Sequence, residues 1–259
     1  MTRRPPRPAR VLAPALAATV LLTCAACSDD DKDSSASAIG ASPLAADSPT
    51  ASATARLTEA GARRALITET DLEDDWTQVK DAATWRDSLL VGKVDVADFL
   101  TAKADAADCQ KLLDGLYSDA LLGQPSGASA LTGFKEGDSR LLYQVGAYRQ
   151  AGLDASLAWL KSLPAKCDQF TAVDSAGDKR TVQVTEASPP EEGDARQGLR
   201  VTVQGTSGGT PATLTLDVAA VRVGTDAITV TAGGLDGDED DSVEDAVNAG
   251  TKRLDDVVG

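Results

Sequence analysis

The chain has 259 residues, a formal net charge of −15 and no histidine. The missing imidazole excludes Ser-His-Asp and Cys-His catalysis, histidine-ligated zinc and an imidazole proton shuttle. The excess of acid sets the surface against nucleic acid and anionic lipid head groups.

Met1 to Arg10 carries Arg3, Arg4, Arg7 and Arg10 and no acid, and Val11 to Ala26 is an apolar run of 16 residues broken by Pro14. A basic start, a short apolar run and small residues at its end describe an export signal over residues 1–26. A stable membrane span takes about 20 apolar residues, and here aspartates follow in place of a basic stop-transfer patch. Ala25-Ala26-Cys27 then sets two small residues before a thiol. This resembles the lipobox of bacterial lipoproteins, in which the thiol takes a diacylglycerol and the leader is cut just before it. Cys24 stands where that motif usually has Leu. In the alternative frame Cys24 is itself modified, with Leu21 in place and Thr23 where Gly, Ala or Ser is usual. Cys27 fits better because the residue at the cut tolerates bulk least, and Cys24 stays the alternative. Plain secretion is the remaining outcome, with cleavage after Ala26 or, less attractively because it lies far from the apolar run, at Ala36-Ser37-Ala38. The leader arginines supply +4, which leaves −19 for residues 28–259. Membrane contact is therefore expected through acyl chains, not through a basic patch.

Ser28 to Ala55 is Ser, Ala, Asp, Thr and Pro with few large apolar residues. Residues 27–55 are expected to form a lipidated cysteine and a disordered tether, with a reach on the order of 30 Å. A single domain is expected over 56–259. Thr58 can cap a helix from Glu59 to Ile67. Thr68 to Trp76 reads as a turn packed by Leu72 and Trp76. Ala106 to Leu122 places Leu112, Leu113, Leu116 and Tyr117 at helical spacing, with Cys109 one turn earlier. Ser139 to Arg149 alternates as a strand, and a second helix, Leu153 to Leu163, is expected to stop at Pro164. Beyond Cys167 the period becomes two. Phe170–Val173 and Arg180–Thr185 flank a hairpin signal at 175–178, and Gly198–Gln204, Thr213–Val223 and Ala227–Ala232 follow between Gly-rich turns. A last helix, Ser242 to Val258, aligns Val243, Val247, Gly250 and Leu254. Short turns force neighbouring strands antiparallel. The predicted fold is α+β: an antiparallel sheet of about five to six strands with helices on one face.

Two motifs bear on chemistry. Gly205-Thr206-Ser207-Gly208-Gly209 fits G-x-S-x-G, yet no histidine can take the serine proton, and two β-like runs flank it. A hairpin loop is the reading. Asp236, Asp238 and Asp240 alternate as in a calcium loop, but Asp241 stands where Gly is required and Val247 where a bidentate Glu is required. A solvated loop before a helix is the reading, and no metal or other cofactor is expected.

Cys109 and Cys167 remain once the leader is set aside. An even pair in an exported chain suggests a disulfide. It would close 58 residues, worth roughly 4 kcal/mol on the chain-entropy account.

Ala65-Leu66-Ile67-Thr68-Glu69-Thr70-Asp71-Leu72 with Trp76 is similar to the "LLTxxDLPxGW" opening of many actinobacterial lipoproteins. The helix ending at Cys167, then Phe170, a hairpin and Ala220-Val221-Arg222-Val223-Gly224, resembles the same group. These proteins are related to the extracellular sensor domains of PknH-type receptor kinases. The kinase sensor domain has two disulfides and this chain can form one. The resemblance implies binding of an unidentified envelope ligand in a cleft over the sheet; the lipobox sets the expected location at the outer face of the cell membrane, and the missing histidine sets the expectation of no catalysis. A small molecule, a lipid or a wall fragment would be captured between helices and sheet; Val221, Val223 and Val230 would then furnish apolar wall, although plain core packing is the preferred reading of each. A scaffold docking on an envelope protein complex is the alternative, and a carboxylate-dependent hydrolase ranks last.

Overall fold

A computed structural model describes residues 56–72, 75–91, 94–207, 209–235 and 239–259. The expectations for the leader, Cys24, Cys27 and the tether lie outside these residues.

The chain runs α1 (Glu59–Arg64), β1 (Thr77–Val79), β2 (Leu90–Val91), β3 (Val94–Asp95), α2 (Ala97–Leu100), β4 (Lys103–Ala104) and α3 (Ala107–Gly115). It continues through β5 (Ser129–Glu136), β6 (Ser139–Ala147), α4 (Gln150–Lys166), β7 (Gln169–Val173), β8 (Lys179–Ala187), β9 (Ala195–Ser207), β10 (Thr210–Val223), β11 (Asp226–Gly234) and α5 (Asp240–Val258). Nine strands form one sheet in the order β1-β5-β6-β11-β10-β9-β8-β7-β4, and every pairing is antiparallel. Tight turns impose that sense. Gly224, at φ +61, turns β10 into β11 in a conformation that side chains with a Cβ resist.

The sheet is wider than the five to six strands predicted. β5 escaped because SALTGFKE mixes its polar and apolar positions, and Gly133 at its centre weakens any strand pattern. That glycine is a packing requirement: a Cβ there would stand 2.4 Å from Ala82 and 2.8 Å from the Trp85 ring. β1 and β4 are too short to show a period.

Helices lie on both faces, which corrects the one-face expectation. On the first face Leu214, Leu216 and Val218 of β10 share a core with Val201 and Val203 of β9, Val182 and Val184 of β8, and the stripe Leu153, Leu160 and Leu163 of α4. On the second face Ala219 and Val221 of β10 join Ile228 and Val230 of β11, Tyr143 and Val145 of β6, and Val243, Val247 and Leu254 of α5. The strands register this difference. β11 is buried along its whole length, whereas β8 alternates exposed and buried residues from Lys179 to Val184. A strand covered on both faces loses its alternation, and one covered on a single face keeps it. α4 packs on β8 and β9, and α5 packs on β10 and β11.

Helix limits differ from the periodic reading for local reasons. α1 begins as expected, with the Thr58 hydroxyl accepting from Gly61 N at 3.1 Å, but ends at Arg64. α3 stops at Gly115 instead of Leu122. Tyr117 then takes φ +49, and its buried hydroxyl shares its one proton between the carbonyls of Arg140 (2.8 Å) and Gly233 (3.0 Å). α4 runs through Pro164 to Lys166. Only the last turn loses a hydrogen bond there, and the buried leucine stripe holds the helix against the sheet.

Candidate functional site

On the second face α5 covers β10 and β11 and leaves β8 and the adjoining part of β9 to solvent. Thr181, Gln183 and Thr185 of β8 are exposed there, as is Gln204 of β9. At this step lies a cleft of about 350 Å3. Its floor is Thr185, Gly198, Arg200, Asp217 and Ala219 from three adjacent strands, one wall is Asp240, Val243 and Glu244 of α5, and the other is Ser188, Pro189 and Pro190 of the β8–β9 connector. Gly198 lets that connector close down, since a Cβ there would stand 2.7 Å from both the Ala187 carbonyl and Pro189.

The first turns of α5 form a wall because they are pinned. The Trp76 indole donates to the Ser242 hydroxyl at 3.2 Å, and that hydroxyl donates to Glu239 at 3.1 Å. Further along, Arg253 reaches Asp71 at 2.7 Å. Both anchors belong to the Thr68–Trp76 turn. Hydrogen bonds from Thr68 and the Arg253 charge hold the Asp71 carboxyl below its usual value, although burial opposes them.

Arg200 organises the floor. Its Nε donates to Asp217 Oδ1 at 2.7 Å, and another of its nitrogens pairs with Asp240 of α5. The second Asp217 oxygen accepts from Glu239 N at 3.4 Å. The Asp217 side chain is 4% exposed. Burial raises its carboxyl above the usual range, and Arg200 only partly offsets this. The two carboxylates in turn raise the Arg200 guanidinium, which stays charged. A carboxylate already held by a guanidinium is a fixed electrostatic feature, poorly suited to shuttle a proton.

The residues singled out from the sequence fall elsewhere. Cys109 and Cys167 form a disulfide, with Cα atoms 5.6 Å apart, that ties α3 to the end of α4 beneath the first face. The adjacent Lys166 and Asp108 pair at 2.8 Å. Val221 and Val230 are wholly buried under α5, and Val223 packs at the edge of the same core. None of the three lines the cleft, and core packing, the role preferred for each from the sequence, is the one they take. Ser207 pairs with Thr210 in register, which makes the G-x-S-x-G stretch the β9–β10 hairpin. Asp236 and Asp238 lie outside the described residues, and the Asp240 carboxylate is taken by Arg200. Among the described residues no group of three or more potential ligands could hold a metal, and no helix is long and apolar enough to cross a membrane. The floor residues escaped sequence reasoning. Their signal was one carboxylate, Asp217, inside the apolar run Leu214–Val221.

No protein-family model matches the chain, and no curated protein matches it. The extracellular domain of PknH from Mycobacterium tuberculosis is similar over 77% of this chain and 96% of that one, at 13% identity and a TM-score of 0.42. An uncharacterized protein (Rv0999 ortholog) from Mycobacterium smegmatis is similar over 79% of this chain and 97% of its own, at 15% identity and a TM-score of 0.38. The first is the extracellular domain whose kind the short motifs resemble. At these identities no residue role passes from either protein to this chain.

Proposed function

We propose that the protein is a lipid-anchored, extracytoplasmic, non-enzymatic binding domain of sensor-like type, with its ligand seat in the cleft between α5 and β8–β10. The observation that carries this reading is the step on the second face. There a cleft of about 350 Å3 opens over a polar floor held rigid by the ion pairs of Arg200. Ligand seats of a few hundred Å3 with a few fixed polar groups are the usual form for small molecules. The absence of histidine from the chain and the engagement of Asp217 with Arg200 favour binding over turnover. The anchor is Cys27, with Cys24 as the alternative, and the ligand is a molecule of the cell envelope.

The test is thermal unfolding of residues 56–259 with and without envelope extract. A ligand at 100 times its Kd adds about 2.7 kcal/mol, which for a domain of this size raises Tm by roughly 5–10 °C. Thr185→Trp places an indole in the cleft from an exposed strand position and is expected to abolish the shift while leaving the unliganded Tm near its original value. A shift of equal size in Thr185→Trp removes the ligand from this cleft. Labelled palmitate entering the native chain but not a Cys24→Ser/Cys27→Ser variant is the expected result for the anchor.

A further inference from the structure

The cleft accepts hydrogen bonds far better than it donates them. Arg200 is the only base among the described residues that line it, and its Nε and one of its terminal nitrogens are engaged by Asp217 and Asp240. The opposite wall contains Pro189 and Pro190, which have no N–H to offer. Glu244 projects from the second turn of α5, exposed and without a hydrogen-bond or ion-pair partner among the described residues. Asp217 lies below it in an environment that burial makes unfavourable for its charge. A ligand carboxylate or phosphate would meet four acids, Glu186, Asp217, Asp240 and Glu244, and a guanidinium already paired with two of them. A ligand rich in N–H donors with positive charge would complete the acceptors the cleft presents.

From this inventory we infer that the cleft takes an organic cation, a small polar molecule bearing a primary ammonium. This rests on the proposed binding role of the same cleft and names its ligand class. A bare metal ion is the poorer match, because the described carboxylates do not converge as a group of three or more ligands. An ammonium on a carbon frame bridges separated acceptors, as this geometry requires. In the complex the ammonium donates to Glu244 and to the acceptors at the mouth, and the frame packs on Ala219, Val243 and Pro189.

The experiment compares matched probes on the full chain, by thermal unfolding and by titration calorimetry: glucosamine against N-acetylglucosamine, cadaverine against glutarate, and calcium chloride alone. Glucosamine or cadaverine is expected to bind and raise Tm, while its uncharged or acidic counterpart does not. Glu244→Gln should weaken that binding about five- to tenfold, and Thr185→Trp should abolish it. Glu244 is exposed, so its variants are expected to keep the fold. Amine binding unchanged in Glu244→Arg, tighter binding of glutarate, or binding of calcium alone would each overturn the inference. Extract that stabilises the native chain but not Thr185→Trp, while no amine does, overturns the ligand class and leaves the binding role standing. Failure of extract and amines together removes both.

Discussion

Asp226 sits at the start of β11, 4% exposed, opposite Ala147 and Val223 in the sheet. Burial lifts its carboxyl to about 6, and the charge of Arg56 pulls weakly the other way. The folded state therefore holds a proton that the unfolded chain, titrating near 4, releases earlier. The stability this residue contributes is full below about pH 4 and is lost as the pH rises through 6. Asp226→Asn is expected to remove that dependence and to stabilise the domain at pH 7.5 by about 1–3 kcal/mol. Urea melts of both proteins at pH 4 and 7.5 measure it, and equal differences at the two pH values would contradict it. Arg200 gives the opposite case. Removing the guanidinium strands a buried Asp217, so Arg200→Ala is expected to cost about 2–3 kcal/mol, less than a fully buried pair because Arg200 is one-third exposed. Asp217→Asn in the same background should recover part of the loss.

At the scale of elements the decisive contact is α5 on the second face. Gly250 lies over the Tyr143 ring, where a Cβ would stand 2.5 Å from a ring carbon and 2.6 Å from the hydroxyl. The ring cannot swing aside freely, because its hydroxyl donates to the Ala65 carbonyl at 3.1 Å. Gly250→Ala should therefore cost about 1–3 kcal/mol through overpacking, even though alanine favours a helix more than glycine does. Chemical denaturation measures this, and a gain in stability would mean that α5 sits less tightly than described. The sequence showed Gly250 in line with Val243, Val247 and Leu254, so the buried stripe was legible. The Tyr143 ring beneath it, more than a hundred residues earlier, was not. The Thr68–Trp76 turn tells the same story. Its Leu72 and Trp76 were readable as apolar anchors, but the Asp71–Arg253 pair and the Trp76–Ser242 hydrogen bond depend on α5 lying alongside.

For the whole molecule, the Cys109–Cys167 bridge joins α3 to α4 across 58 residues on the first face. Its removal as Cys109→Ser/Cys167→Ser is expected to lower stability by about 2–5 kcal/mol while the second face, with its own core, keeps the cleft. Calorimetry of the double variant checks the loss, and a retained ligand-induced shift checks the independence of the two faces. Non-reducing peptide mapping should recover the linked cysteines.

The amino-acid sequence by itself determined the α+β class, the antiparallel run of hairpins after Cys167, the Thr58 cap, the stripe of α5 and the pairing of Cys109 with Cys167. Each rests on local chemistry: a period, a cap, a turn residue, or an even thiol count. Only the tertiary structure decided that helices cover both faces and that a cleft opens beside the first turns of α5. Periodicity records which side of an element is buried and not what buries it. Arg200, Asp217 and Asp240 come together only because β9 pairs with β10 and α5 returns over them. A floor built from three elements has no signature within any one of them.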